Sequence, residues 1–298
     1  MPIIKPIQVS NSVIQELYDP LFDEKGVQLM VKREDLIHPQ VSGNKWRKLK
    51  YNLVQAQKEG HTKLLTFGGA YSNHILATAV AGKLAGFQTI GIIRGEEHHP
   101  LNETLAFAKT CGMELHYLDR QRYRKKNEGE VKAKLLADFG PCYLIPEGGS
   151  NSYAVQGCAE LVAEINADYD YLCTACGTGG TMAGLIAGLE GQKKILGIPV
   201  LKGATWMYDD IQNLLGNYGI TAVYSNWELK LGYHFGGYAK KKPELELFIE
   251  AFQQKHLLAI EFVYTGKLFF GIYDLIKKDF FERGTRIMAI HTGGLRDF

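Results

Sequence analysis

No apolar run in the 298 residues approaches the roughly 20 that a membrane-spanning helix requires. Net charge is scarce too. Lys and Arg number 34 against 32 Asp and Glu, leaving +2, too little to argue for nucleic acid or an anionic membrane as a partner. The start, Met1-Pro-Ile-Ile-Lys-Pro followed by Glu16, Asp19, Asp23 and Glu24, lacks the layout of a signal peptide, so a cytoplasmic location is expected. Cysteine is sparse and odd in number, at Cys111, Cys142, Cys158, Cys173 and Cys176. Without a secretory signal, that pattern argues for reduced thiols. Cys173 and Cys176 have CxxC spacing, but they lie in an apolar run that reads as a strand, where residues three apart point to opposite faces. A second ligand pair is missing, so no metal site is expected. Internal repeats and low-complexity linkers are absent as well. So is a GxSxG elbow, which leaves serine hydrolysis poorly supported.

Glycine is plentiful, with 33 residues, and implies many tight turns and close backbone approaches. At 46% hydrophobic and 22% charged, the composition is that of a soluble globular chain. Its length allows one large or two modest domains. Strand-like and helix-like stretches alternate. Strands are expected at 27–31, 63–67, 88–93, 113–118 and 142–145. Helices are expected after residue 44 and over 75–85, 101–111 and 131–139, with a charged loop holding Arg122, Arg124, Lys125 and Lys126. A second series has helices over 153–165, 182–189, 208–218, 243–255 and 268–278. Its strands fall at 171–176, 194–200 and 286–290, with one more expected at 220–224. This alternation is the signature of parallel sheets wrapped in helices, an α/β class, with a boundary near residue 148.

The chain is organised around Ser42-Gly43-Asn44-Lys45-Trp46-Arg47-Lys48-Leu49-Lys50-Tyr51. Trp46, Leu49, Leu53 and Ala56 mark one apolar helical face, and Asn44 or Ser42 can cap the helix. Lys45, Arg47, Lys48 and Lys50 crowd its first turns, where the dipole disfavours cations. Two readings are open: a solvated basic helix start, or a lysine leaning to the buried side and pushed toward the neutral amine that carbonyl chemistry needs.

Gly177-Thr178-Gly179-Gly180-Thr181 lies between a strand and a helix. It is a plain tight connection or an anion cradle, and helix N-termini favour the cradle. It is no P-loop, because no Gly-Lys-Ser/Thr follows, and Met182 occupies the third glycine position of GxGxxG. A single phosphate suits it better than a dinucleotide. In Gly68-Gly69-Ala70-Tyr71-Ser72-Asn73-His74, Ser72 can be an N-cap, Asn73 and His74 add hydrogen-bonding groups, and His74 reads as structural. Lysine, Asn-bearing turn and anion cradle are the parts that holding pyridoxal phosphate by a lysine requires.

These three stretches, with Tyr264-Thr265-Gly266-Lys267, resemble the 1-aminocyclopropane-1-carboxylate (ACC) deaminase and D-cysteine desulfhydrase family in order and spacing across nearly the whole chain. The resemblance implies pyridoxal-phosphate fold type II, that of the tryptophan-synthase β-subunit. Two three-layer αβα domains with mostly parallel twisted sheets are then expected: a larger cofactor-binding one from 1–44 plus 148–298, and a smaller one from 45–147. It implies that Lys45 is the Schiff-base lysine, that Asn73 meets the cofactor's ring hydroxyl, and that Ser72 contacts the substrate carboxylate or assists proton transfer. Gly177, Thr178, Gly179, Gly180 and Thr181 would hold the phosphate. Tyr264 and Tyr238 would be the catalytic tyrosines, and Thr292 or Thr265 would face the pyridine nitrogen. A homodimer acting on a small amino acid is also implied. ACC deaminases carry glutamate after the catalytic tyrosine, where this chain has Thr265, so the resemblance is nearer to the desulfhydrase branch. The chain departs from the family pattern in following Gly236-Gly237-Tyr238 with Ala239-Lys240 and in being shorter than typical members. Ring opening of ACC, β-replacement, serine or threonine dehydration, and a non-enzymatic cofactor-holding or amino-acid-sensing protein are the alternatives.

Overall fold

The computed structural model describes residues 7–41 and 43–295. In chain order the elements are β1 (Ile14–Leu17), α1 (Pro20–Lys25), β2 (Gln28–Lys32), α2 (Asn44–Lys58), β3 (Lys63–Gly68), α3 (Asn73–Ala85), β4 (Gln88–Arg94) and α4 (Glu103–Thr110). Next come β5 (Met113–Leu118), α5 (Arg120–Arg124), α6 (Gly129–Phe139), β6 (Tyr143–Ile145), α7 (Ser152–Ala163), β7 (Tyr171–Cys176), α8 (Gly180–Leu189) and β8 (Lys194–Pro199). The chain closes with α9 (Met207–Tyr218), β9 (Trp227–Leu229), α10 (Pro243–His256), α11 (Thr265–Lys277) and β10 (Arg286–Ile290).

The strands form two sheets, one ordered β1-β2-β10-β7-β8-β9 and the other β5-β4-β3-β6. All pairings are parallel except β1 with β2. Parallel strands are joined by crossover helices, which cover both faces and keep the sheet interior apolar. The six-stranded sheet accordingly separates two cores, and the CxxC pair straddles it. Cys173 packs with Leu29, Phe269 and Ile272 on one side, whereas Cys176 packs with Met182, Ile186 and Met288 on the other.

Some sequence expectations need correcting. Residues 220–224 are not a strand. Gly219 ends α9 in the left-handed region at φ 101°, and the Ile220 amide turns back onto the Leu215 carbonyl at 3.0 Å. The strand that pairs with β8 is β9 instead. The charged stretch after β5 contains α5, capped by Asp119. Neither β1 nor α1 was expected.

Helix α2 is wedged between the two halves. Its apolar face, Trp46, Leu49, Leu53 and Ala56, packs with Leu64, Ala77 and Ile145 beside the four-stranded sheet. Gly43 occupies the N-cap position at φ 61°, and a Cβ there would fall 2.0 Å from the Thr292 carbonyl oxygen, so only glycine fits. Asn44 is therefore the first helical residue rather than the cap, and among the described residues no side chain caps this end. Ser42, the other expected cap, lies outside the described residues. Opposite the apolar face, Arg47 is buried between two carboxylates. Its Nε donates to Glu34 Oε2 at 2.8 Å and its Nη2 to Glu164 Oε2 at 2.6 Å. Glu34, fully buried, also accepts from Ser12 Oγ at 2.6 Å. A buried ion pair holds only when geometry and extra hydrogen bonds offset desolvation, and this bidentate arrangement meets that condition. It fixes the start of α2 in place.

Candidate active site

A cavity of about 470 Å³ opens where the two sheets meet. Two of its walls are turns at the carboxyl ends of parallel strands, the usual place for ligands in α/β sheets. After β7 comes Gly177–Thr181, leading into α8; after β3 comes Gly69–Asn73, leading into α3. Lys45 and Lys48 enter from α2, and Tyr238 and Tyr264 from the far side.

The four cations of α2 divide in two. Arg47 has its carboxylates, and Lys50 pairs with Glu160 at 2.6 Å. Among the described residues, neither Lys45 nor Lys48 has a carboxylate partner, and both line the cavity. Lys45 Nζ donates to Asn44 Oδ1 at 2.8 Å. Asn44 Nδ2 in turn donates to Thr181 Oγ1 at 2.9 Å, linking the amine to the glycine turn. Burial, then the charge of Lys48, lowers the Lys45 amine to about 7, with Cys158 and Glu261 opposing. With that value, a large share of Lys45 is already the free amine near neutrality, the nucleophilic form, and more becomes so as pH rises. Lys48 lies deeper. Its Nζ approaches the Gly148 carbonyl and Ser150 Oγ at 3.2 Å each, and Thr178 Oγ1 at 3.5 Å. Burial lowers its pKa as well.

The glycine turn is shaped for an anion. Gly179 stands at the N-cap of α8 at φ 74°, and among the described residues no side chain caps the first amides of that helix. A Cβ on Gly180 would lie 2.5 Å from Ser150 Oγ and 3.0 Å from Lys48 Nζ, so this close approach requires glycine. Free amides, a dipole and a buried cation converge here.

Across the cavity, Ser72 caps α3, accepting from the amides of His74 and Ile75 at 3.2 and 3.3 Å. Asn73 follows, and a Cβ on Gly294 would lie 3.1 Å from its Nδ2. His74 is buried and held neutral by burial and by the charges of Lys45 and Lys48. Its Nε2 meets Thr66 Oγ1 at 2.8 Å, and Thr66 donates onward to the Ile145 carbonyl at 2.9 Å. The Nε2 atom therefore carries the proton, which leaves Nδ1 a bare acceptor. On the far wall, Lys45 Nζ lies 5.7 Å from the Tyr264 ring centre. Tyr238 meets that ring edge-on at 6.1 Å. Burial first, then Tyr238, raises the Tyr264 hydroxyl well above the usual phenol value, so it stays protonated.

The cavity thus brings together Lys45, Ser72, Asn73, Gly177, Thr178, Gly179, Thr181, Tyr238 and Tyr264. Gly180, Thr265 and Thr292 are not among its lining residues. Thr265 is fully buried, and its Oγ1 lies 2.9 Å from the Glu261 amide and 3.2 Å from Glu261 Oε1. Thr292 packs its carbonyl under Gly43. Sequence reasoning missed Lys48, Asn44 as a bridge, and Glu261, whose carboxylate accepts from the amides of Val263, Tyr264 and Thr265 at 2.6 to 2.8 Å. The signal for Lys48 was its place one turn after Lys45, on the same helical side.

Residues 16–293 match the family described as pyridoxal-phosphate dependent enzyme, and the chain belongs to it. A Pyrococcus furiosus protein named putative 1-aminocyclopropane-1-carboxylate deaminase is 33% identical, over 91% of this chain and 85% of that one. An Arabidopsis thaliana protein named bifunctional D-cysteine desulfhydrase/1-aminocyclopropane-1-carboxylate deaminase is 30% identical, over 91% of this chain and 73% of that one. A crystal structure titled as that of an ACC deaminase homologue superposes with TM-score 0.85 at 30% identity, over 98% of this chain and 92% of that one. Within the pyridoxal-phosphate enzymes, the chain is a member of the ACC deaminase and D-cysteine desulfhydrase group. The site fits the cofactor of that family. A buried cation without a carboxylate, uncapped helix amides and a glycine floor call for a phosphate, and one turn away stands a neutral amine for an aldehyde. Among the described residues, no helix is long and apolar enough to cross a membrane.

Proposed function

We propose that this enzyme is a lyase acting on a small amino acid, with D-cysteine favoured, and that D-cysteine and water become pyruvate, ammonia and sulfide. The observation that carries this reading is the cavity itself. Lys45, its amine lowered to about 7, shares the cavity with the Ser72–Asn73 turn and with a protonated phenol, Tyr264. When bound, pyridoxal phosphate supplies an electron sink for the carbon bearing the amino group. Lys45 would hold the cofactor aldehyde, and its Nζ as a free amine can take a proton. Lys48, Thr178, Thr181 and the amides of α8 would hold the phosphate. Asn73 would meet the ring hydroxyl. The Ser72 hydroxyl would orient the substrate carboxylate by donating its hydrogen, while its oxygen caps α3. The Tyr264 hydroxyl, kept protonated, would donate a hydrogen bond to the departing group, with Tyr238 beside it.

The desulfhydrase preference is supported by position 265. A threonine committed to Glu261 replaces the carboxylate that ring-opening relatives place there, so the ring nitrogen has no acid from this position. A second reading, ACC deamination, is favoured by the names of the Pyrococcus and Arabidopsis relatives. The two sheets support the division into domains at residues 44 and 148. The deciding experiment incubates the purified enzyme with D-cysteine, L-cysteine, L-serine and ACC, scoring keto acid and sulfide. Keto acid and sulfide from D-cysteine, lost in K45A, are expected. Keto acid from ACC with none from D-cysteine would replace the first reading with the second.

A further inference from the structure

Lys267 lies one turn into α11, three residues after Tyr264, and its side chain is fully buried. No carboxylate contacts its amine among the described residues. Its Nζ donates to the His234 carbonyl at 2.9 Å and the Gly237 carbonyl at 2.8 Å, with the Val200 carbonyl looser at 3.5 Å. Val200 follows β8; His234 and Gly237 belong to the loop that carries Tyr238. That loop is unusual in its backbone. Phe235, Gly236, Gly237 and Ala239 all have positive φ, at 53°, 97°, 126° and 52°. Two of these are not glycine, so the conformation costs energy that something else must offset. The apolar part of that support is Phe235, packed edge-on against Phe270 of the same helix at 4.8 Å. The polar part is Lys267. Ammonium hydrogen bonds to carbonyls are strong because the donor is charged, and the open backbone of a strained loop supplies the carbonyls.

We propose that Lys267 is a positioning residue for the reaction, its ammonium clasping the Tyr238 loop so that Tyr238 is held at the cavity mouth beside Tyr264. One amine thereby sets both tyrosines, the first through its own helix and the second through the loop. This rests on the reading in which Tyr238 faces the substrate. The charged groups around Lys267 are Glu261, which favours its charge, and His234, whose own protonation burial opposes first, then Lys202, Lys267 and Lys242. Burial outweighs Glu261 and lowers the amine to about 8. Raising the pH through that value removes the charge and one of three N–H donors, and loosens the clasp.

The test follows the loop and the reaction separately, in K267M, Y238A and the double variant of the cofactor-loaded enzyme. The loop is read by trypsin cleavage in the exposed Lys240-Lys241-Lys242 tract, normalised to a peptide of that sequence. Turnover is read as kcat and KM on the preferred amino acid. In K267M, cleavage is expected to rise about tenfold or more, because cleavage follows the population of the open loop. Its kcat/KM should fall to that of Y238A, and the double variant should be no worse than Y238A, as expected for residues acting through one contact. Unchanged cleavage in K267M, or additive losses in the double variant, would overturn the proposal. Normal turnover by Y238A alongside faster cleavage in K267M would overturn the reading of Tyr238, and with it the part given to Lys267 in the reaction. Should K267M not fold, the wild type decides: normalised cleavage rising between pH 7 and 9.5 supports the clasp, and a flat profile overturns it.

Discussion

Replacing Lys48 with methionine should move two measurements in opposite directions. In the protein without cofactor, Lys48 is a buried cation served, among the described residues, by the Gly148 carbonyl and the hydroxyls of Ser150 and Thr178. Methionine fills much the same volume and carries no charge to desolvate. Exchanging buried charge for apolar volume is commonly stabilising by about 1 kcal/mol or more. For a chain of this size that is a rise of about 2 °C in Tm. With cofactor the sign reverses. Losing one charge-assisted hydrogen bond to a phosphate costs about 1.5–3 kcal/mol, which weakens binding roughly 10- to 150-fold. The assay is thermal melting of cofactor-free wild type and K48M, followed by titration of each with pyridoxal phosphate. Binding by K48M within about threefold of wild type, a difference well under 1 kcal/mol, would refute the phosphate role. A lower Tm without cofactor would refute the claim that the charge is uncompensated.

Two further outcomes are expected. The Lys45 amine, neutral above about pH 7 because burial and the Lys48 charge oppose its protonation, should react with an acylating reagent at a rate half-maximal near pH 7. In K48M that midpoint should move upward; a wild-type midpoint above about 9, close to an ordinary lysine, would contradict the burial argument. R47M should destabilise the protein by about 3–5 kcal/mol, the cost of stranding a buried charge, since among the described residues Ser12 is the one hydrogen-bond donor the Glu34 carboxylate would keep. Urea unfolding measures it, and a loss below about 1 kcal/mol, the level of an exposed pair, would show that Glu34 tolerates being unpaired.

Much of this architecture is legible in the residues. The strands at 171–176 and 286–290 have the bounds of β7 and β10, because central strands of parallel sheets are continuous apolar runs between turn signals. The edges were harder. β1 pairs on one side only and buries little of its length, and β9 has three residues. Such strands exist because a neighbour offers hydrogen bonds, which local pattern does not record. The sequence around 220–224 is β-branched and apolar enough for a strand, but the left-handed Gly219 turns it back onto α9. At the site, Lys45 stood out through its turn. Lys48 did not, because whether a cation is buried without an acid depends on Gly148 and Ser150, about a hundred residues away. The same holds for Arg47, whose two carboxylates come from beyond β2 and the end of α7.

Because Lys45 and Lys48 share one helical turn, their spacing is metered by backbone geometry, at a rise of about 4.5 Å and an offset of about 60° around the axis. An insertion or deletion of a single residue between them would swing one amine roughly 100° away from the other. Point changes on that turn can be absorbed by side-chain adjustment, but a shift in reading length cannot. Any redesign of this scaffold for a longer or shorter aldehyde would therefore have to replace the whole turn rather than edit it.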